Sequence, residues 1–305
     1  MMSAPTNGRF TEAAMRRIAT RIADRLGVLH DDLTLLRLTN NAVFALPTVG
    51  LVIRITRSHR LRQRVGKVAA LGRWFTTVQA PTIRLVADIE QPIEEDGLLA
   101  TIWAYLPPQP PTPTVNELGR LLNDFHRLGV PSIALPAWDP VGDARARLDD
   151  AEALGERDKE FLLQWCDSLA HRLGEAAYAD TPLLVHGDAH VGNVLRRQDG
   201  QPVLCDFDAT CLGPWQVDLT AVPVGEVRFK RSSGHRELTR AYGRDVTADP
   251  HWPLFREARE LKMVVAAVPL LASASGVAQE FATRLRSVQQ NDGDARWIPF
   301  AELPR

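Results

Sequence analysis

The segment Leu183–Asp218, LLVHGDAHVGNVLRRQDGQPVLCDFDATCLGPWQVD, concentrates the side chains best suited to chemistry. Asp188 follows His186-Gly187 and precedes His190, Asn193 comes five residues after Asp188, and Asp206-Phe207-Asp208 begins thirteen residues after Asn193. The apolar run Leu183–Val185 predicts a strand that stops at His186. Val194-Leu195 and Pro202–Cys205 flank Asp199-Gly200, which predicts a tight hairpin. Such a hairpin brings Asn193, at its entry, beside Asp206, at its exit. Two oxygen donors side by side suit a hard cation such as Mg²⁺, which takes one or two protein oxygens and completes its octahedron with phosphates and water. The competing reading is a hydrolytic zinc or iron site built on His186, Asp188 and His190, because imidazole and carboxylate suit those metals. The Asn–hairpin–Asp sequel has no task in a site of that kind.

The interval from Asp188 to Asn193 is that of the protein-kinase catalytic loop, and Asp206-Phe207 stands in the place of its D-F-G. The stretch resembles the aminoglycoside phosphotransferase family more closely, through the brace H-G-D-x-H-x-x-N formed by His186, Gly187, Asp188, His190 and Asn193 and followed by a hairpin and an Asp. The resemblance implies Asp188 as the base facing the acceptor hydroxyl and Asn193 and Asp206 as metal ligands. Asp208, two residues further on, is a candidate second carboxylate ligand. His190 would touch the metal shell or the substrate, His186 would fix the loop, and Asp218 would brace it. Mg²⁺ and ATP, or GTP, are the implied cofactors. Asp218 comes only twelve residues after Asp206, and no A-P-E follows. That leaves no room for a phosphorylation-controlled activation segment and points to a constitutive small-molecule kinase. The acceptor would be an aminoglycoside, amino alcohol or sugar-like hydroxyl compound. A nucleotide-binding pseudokinase is the alternative within the same fold.

These residues need a scaffold. Thr11–Leu26 has Met15, Ile18, Ile22 and Leu26 on one helical face and stops at Gly27. Three strand-like runs follow, Thr34–Leu38, Ala42–Leu46 and Leu51–Thr56, separated by Asn40-Asn41 and by Pro47–Gly50; they predict an antiparallel meander. In a kinase-like lobe the first turn, Thr39-Asn40-Asn41, would lie over the nucleotide phosphates, so Asn40 and Asn41 are cofactor-binding candidates by position alone. Arg54, in Val52-Ile53-Arg54-Ile55, occupies the third-strand place of the phosphate-gripping cation; an exposed edge-strand arginine is the bland alternative. Ser58–Phe75 reads as a helix. Residues 54–73 carry Arg54, Arg57, Arg60, Arg62, Arg64, Lys67 and Arg73 with no acid, which is read as a solvated basic face. No glutamate on that helix can orient Arg54. Ile83–Ile89 and Leu98–Ala104 read as strands joined by an acidic turn at Glu94–Gly97. Trp103, Ala104 and Tyr105 match the hinge that meets the adenine edge, and a proline-rich linker follows. From Val115 onward the periodicity is helical: Leu118–Phe125, Arg145–Ala153, Phe161–Leu173, Arg236–Tyr242, Leu254–Ala274 and Val277–Gln290. Glu226, Glu257 and Glu260 receive no role.

The expected fold is therefore α+β and bilobal, protein-kinase-like. Residues 1–104 would form the nucleotide-binding lobe, 105–114 the linker and 115–305 a mainly helical catalytic lobe. The 305 residues suffice for two cores. A net charge of −1 argues against a dedicated nucleic-acid binder. Cys166, Cys205 and Cys211 are too few for a disulfide framework, and residues 1–10 lack the order of a secretion signal. The longest apolar run, Met263–Ala274, contains Pro269 and is too short to span a bilayer. A cytoplasmic protein without a membrane partner is expected.

Overall fold

The computed structural model describes residues 11–38, 41–56, 62–151, 153–176, 181–231, 234–272 and 275–303. In chain order the elements are α1 (Glu12–Leu26), β1 (Thr34–Leu38), β2 (Asn41–Leu46), β3 (Leu51–Thr56), α2 (Arg62–Thr77), β4 (Ile93–Glu95), β5 (Leu98–Ala104), α3 (Val115–His126), α4 (Pro140–Asp149) and α5 (Glu156–Glu175). Then come β6 (Leu183–Val185), β7 (Val194–Arg196), β8 (Pro202–Leu204), β9 (Cys211–Gly213), α6 (Gln216–Leu219), α7 (Ala221–Phe229), α8 (His235–Tyr242), α9 (Trp252–Val265) and α10 (Ser275–Gln289). They pack as two compact units. One comprises Met1–Pro113, Arg127–Leu135 and Val191–Thr210; the other comprises Thr114–His126, Pro136–His190 and Cys211–Arg305.

The first unit is built on a five-stranded sheet in the order β1-β2-β3-β5-β4, antiparallel throughout. Thr11 caps α1 by accepting from the Ala14 N–H, and Gly27 ends it in the left-handed region. The apolar face of α1, with Met15, Ile18 and Ile22, packs on Phe44, Ile53, Ile55 and Ile102 of the sheet. Successive strand residues face opposite ways. Arg54 therefore points away from α1, and β3 is the middle strand, so this arginine is not on an edge. Its β5 neighbour in register is Thr101, which is fully buried. The β7–β8 hairpin belongs to the same unit. Its turn carries Gly200 at φ +84°, a conformation that glycine adopts without steric cost.

Two sequence expectations fail here. Ile83–Ile89 is not a strand. Its backbone is shared between partners: the Ile83 N–H goes to Leu204 O, the Val86 N–H goes to Ile102 O, and Arg84 O accepts from Ala104. A segment stitched to two elements forms bridges without a ladder. Glu94 and Glu95 lie inside β4, and only Asp96-Gly97, both at positive φ, make the turn.

In the second unit α9 is the axis. Leu261, Met263, Val264 and Val265 share a core with Leu148 of α4, Leu162 and Leu169 of α5, Phe281 of α10 and Trp297. α3 and α8 approach closely at Gly119, where an added Cβ would come within 2.7 Å of the Ala241 Cβ. The pair β6–β9 places Val185 opposite Cys211 and delivers the chain to His186. The helices depart from the periodic reading in several places; α5, for example, starts at Glu156 rather than Phe161. α4 starts at Pro140, because Asp139 caps it through the Gly142 N–H and proline suits the first turn. α9 stops at Val265 and gives way to a short 3₁₀ turn containing Pro269. α7, which has a proline in its first turn, had no counterpart in the periodic reading.

Candidate active site

Within the first unit, Arg54, Asp206 and Asp208 form one cluster. The side chain of Arg54 is only 10% exposed, with Nη2 3.2 Å from Asp206 Oδ1 and 2.5 Å from Asp208 Oδ2. Asn41 donates through Nδ2 to Asp208 Oδ2 at 3.0 Å. Burial is the largest single influence on Asp208 and works to raise its pKa, but the charge and hydrogen bond of Arg54, the Asn41 hydrogen bond and the charge of Arg64 together hold the carboxyl below its ordinary value. The missing helix glutamate is thus replaced by the two aspartates after the hairpin. α2 supplies a cation in place of that acid: Lys67 donates to the backbone oxygens of Asp208, at 2.7 Å, and Thr210, at 2.6 Å. This corrects the reading of the basic run as wholly solvated, since Lys67 is the clasp that fixes the 208–210 backbone.

Asp206 sits at φ +68°, an uncommon conformation for a residue with a side chain, and such strain gathers at functional positions. It is set by the hairpin, where Val194 pairs with Leu204 and the Cys205 N–H donates to Asn193 O at 2.9 Å. Asn193 is buried, and its backbone oxygen accepts from Cys205, the residue before Asp206. Phe207 anchors the turn against Phe75 and Trp103, with ring centroids 4.7 and 6.4 Å away. Arg37 Nη1 lies 3.5 Å from Asp206 Oδ2. Arg54 Nη1 and Asn41 Oδ1 are both buried without a hydrogen-bond partner. Burial and the neighbouring Asp206 push the Cys205 thiol up to about 12, so it stays protonated.

Among the hinge candidates, Trp103 is buried and its indole N–H donates to Thr101 Oγ1 at 2.9 Å. The Ala104 N–H goes to Arg84 O and the Tyr105 N–H to Gly50 O. Both are committed inside the unit. Asn40 lies outside the described residues.

The second unit holds the other cluster. Asp218, 1% exposed, accepts from the His186 N–H through Oδ2 and from the Gly187 N–H through Oδ1, both at 2.7 Å. The expected brace is therefore present. His126 Nε2 donates to Asp218 Oδ2 at 2.9 Å, and His126 Nδ1 lies 2.8 Å from the Tyr242 hydroxyl. Gly187 takes φ +78°, which turns the chain so that Asp188 leaves the buried strand end. The His186 ring is fully enclosed and accepts from the Asp188 N–H at 3.3 Å. Asp188 meets Arg259 Nη1 at 2.6 Å and Lys262 Nζ at 3.0 Å, both from α9, and Lys262 also donates to Gly187 O. Burial would raise the Asp188 pKa; Lys262, Arg259 and His190 hold it well below the carboxylate range. Burial lowers His190 to about 4, so its imidazole is neutral near pH 7.

His126, Arg259, Lys262 and Lys67 received no site role in the sequence reading. Each sits on a helix at a position that periodicity assigns to a face, and nothing local distinguishes it from a surface group. Glu257 is tied to Arg172 and Trp165, Glu260 to Arg228 and Arg256, and Glu226 accepts from the His235 N–H. Among the described residues no group of three or more His, Cys, Asp or Glu side chains could hold a metal ion by itself.

The profile of the phosphotransferase enzyme family (APH) matches residues 32–261. No curated protein matches the chain by sequence. Among solved structures the chain is similar to amicoumacin kinase hAmiN in complex with AMP-PNP, Ca²⁺ and Ami, with 14% identity, a TM-score of 0.69, and 94% of this chain and 98% of that one covered. It is also similar to the microcompartment-associated aminopropanol kinase, at 18% identity and a TM-score of 0.63, covering 90% and 99%. The GDP and kanamycin complex of APH(2")-IIia aligns at 16% identity and a TM-score of 0.60, again covering 90% and 99%. At such identities the likeness is one of fold, and the fold is that of kinase-like phosphotransferases.

Proposed function

Because the chain belongs to the phosphotransferase enzyme family (APH), we propose that it transfers the γ-phosphoryl group of ATP or GTP, with Mg²⁺, to a hydroxyl of a small molecule. The observation that carries this reading is the cluster on the first unit: a central-strand arginine with a buried, unpartnered Nη1, set beside carboxylate and amide oxygens. Guanidinium nitrogens of that kind match phosphate oxygens. The donor set also fits Mg²⁺, which uses one or two carboxylates with substrate phosphates and water, whereas zinc needs a cage of three or four protein ligands. Asn193 and Asp206 would hold the ion, and Asp208, bound to Arg54 and Asn41, would orient the arginine. When bound, the ion neutralises the phosphate oxygens and aligns them for in-line transfer.

The residues of this chain then divide the work. Arg54 grips the nucleotide phosphates. Lys67 and Phe207 keep the Asp206–Asp208 backbone from shifting as charge moves. Asp188, held by the Asp218 brace, accepts a hydrogen bond from the acceptor hydroxyl. A bond forms from the acceptor oxygen to the γ-phosphorus, the bond from that phosphorus to the nucleoside diphosphate oxygen breaks, and the hydroxyl proton passes to the Asp188 carboxylate. A carboxylate with a depressed pKa is a weak base. It suits a loose transition state, in which the hydroxyl becomes acidic only as transfer proceeds. At the hinge, Ala104 and Tyr105 have spent their N–H groups and Pro107 and Pro108 have none, which leaves Leu106 to donate to a purine.

Phe207–Ala209, β9 and α6 occupy the interval from Asp206 to Asp218, supporting turnover without an activating phosphorylation. No helix among the described residues is long and apolar enough to cross a membrane. Three cysteines are too few for a disulfide framework, which supports a reducing, cytoplasmic setting. Amicoumacin, kanamycin and aminopropanol, named with the similar structures, support a small-molecule acceptor. The test is a coupled assay of nucleoside diphosphate release with Mg²⁺-ATP and Mg²⁺-GTP against hydroxyl acceptors. Acceptor-dependent release from unphosphorylated protein is expected. Absence of Mg²⁺-nucleotide binding would refute the reading.

A further inference from the structure

α9 sends two cations, Arg259 and Lys262, to one carboxylate. They stand three residues apart on one helical face, and both reach Asp188 Oδ1. One cation would balance Asp188, and the second leaves the cluster with surplus positive charge. His190 adds no negative charge. The acids of α9 itself do not offset it, since Glu257 is spent on Arg172 and Glu260 on Arg228 and Arg256, and Asp218 of α6 is spent on His126 and the loop N–H groups. A second observation points the same way. Arg259 Nε is buried and makes no hydrogen bond, which is a donor left waiting for an acceptor. Side chains of 17% and 32% exposure at Arg259 and Lys262 remain open enough for a ligand to reach. An amine brought to Asp188 would meet two like charges. A carboxylate or phosphate would be paired by both and would draw some of their charge away from Asp188.

Resting on the phosphotransferase reading, we propose that the acceptor is an anion, a small molecule with a carboxylate or phosphate close to its reacting hydroxyl, and that Arg259 and Lys262 bind that group. The class is a hydroxy acid or a hydroxyl-bearing phosphate ester rather than an amino alcohol or an aminoglycoside.

The experiment measures ADP release with Mg²⁺-ATP against size-matched acceptors. Glycerate and gluconate represent the acids, glycerol 3-phosphate and glucose 6-phosphate the phosphates, glycerol and glucose the neutral analogues, and ethanolamine and glucosamine the amines. Titration calorimetry of the same compounds runs in parallel. The expected result is a kcat/KM for one anionic set at least about tenfold above its neutral and amine analogues, with Arg259→Gln and Lys262→Gln each raising KM for that anion by about tenfold or more. Which anionic set responds separates carboxylate from phosphate. Amines turned over as well as anions, or anions that neither accelerate release nor bind, would overturn the inference while leaving a working kinase. Failure to bind Mg²⁺-AMP-PNP would remove both the inference and the phosphotransferase reading beneath it.

Discussion

Arg54 serves two partners. In this structure its guanidinium neutralises Asp208, buried beside Asn41, while Nη1 stays without an acceptor. Arg54→Ala should therefore weaken nucleotide binding and also cost about 3–5 kcal/mol of stability, the usual penalty for stranding one member of a buried ion pair. Combining Arg54→Gln with Asp208→Asn removes both charges. It should recover most of the stability in denaturant titrations but none of the nucleotide affinity in calorimetry, which separates the structural task from the binding one. His190 gives a pH prediction. Its folded value is about 4 against an ordinary 6.5, so between those limits the unfolded chain binds more protons than the native one. Stability should then fall as pH drops from about 6.5 towards 4. His190→Gln should flatten that limb in urea midpoints taken at pH 7 and pH 5; an unchanged slope would show that the imidazole is solvated.

Among the elements, α9 has the most varied duty. Arg259 and Lys262 point to the Asp188 loop, Leu261 and Val264 fill the core, and Glu260 pairs with Arg228 and Arg256. Arg228 is 3% exposed and lies with its guanidinium carbon 4.4 Å from the Trp297 ring centre. Glu260→Ala should cost about 3–5 kcal/mol in chemical denaturation by stranding that arginine, whereas Arg259→Gln, which leaves Lys262 to balance Asp188, should cost far less. The three-strand meander was legible almost to the residue, because alternation and turn chemistry are local signals: Thr34–Leu38 and Leu51–Thr56 form as read. The brace from Asp218 to the His186 loop was legible through a motif. The partners of Asp188 and Arg54 were not. Lys67 and Arg259 are separated in sequence from what they touch by more than seventy residues, and long-range pairing leaves no trace in a helical period. Ile83–Ile89 misled for the complementary reason: apolar alternation is satisfied equally by a strand and by a loop bonded to two neighbours.

On the scale of the whole chain, the division between the two compact units passes between His190 and Val191, inside the signature motif. Asp188 and His190 fold with the helical unit, while Asn193, Asp206 and Asp208 fold with the sheet. Each half of the motif thus has its own scaffold: Asp218 and α9 for Asp188, the hairpin and Lys67 for Asp206. Under the proposed function, nucleotide and metal belong to the sheet half and the acceptor hydroxyl to the helical half. The most direct test compares Asp188→Asn with Asp206→Asn in calorimetric titrations with AMP-PNP, with and without Mg²⁺, alongside turnover. Asp206→Asn should lose the Mg²⁺-dependent part of nucleotide binding together with activity. Asp188→Asn should bind Mg²⁺-AMP-PNP nearly as the native protein does, while kcat falls by about 10²–10⁴-fold, the range typical of losing a general base. Equal loss of Mg²⁺-nucleotide affinity in both variants, or normal turnover in either, would contradict the division of roles.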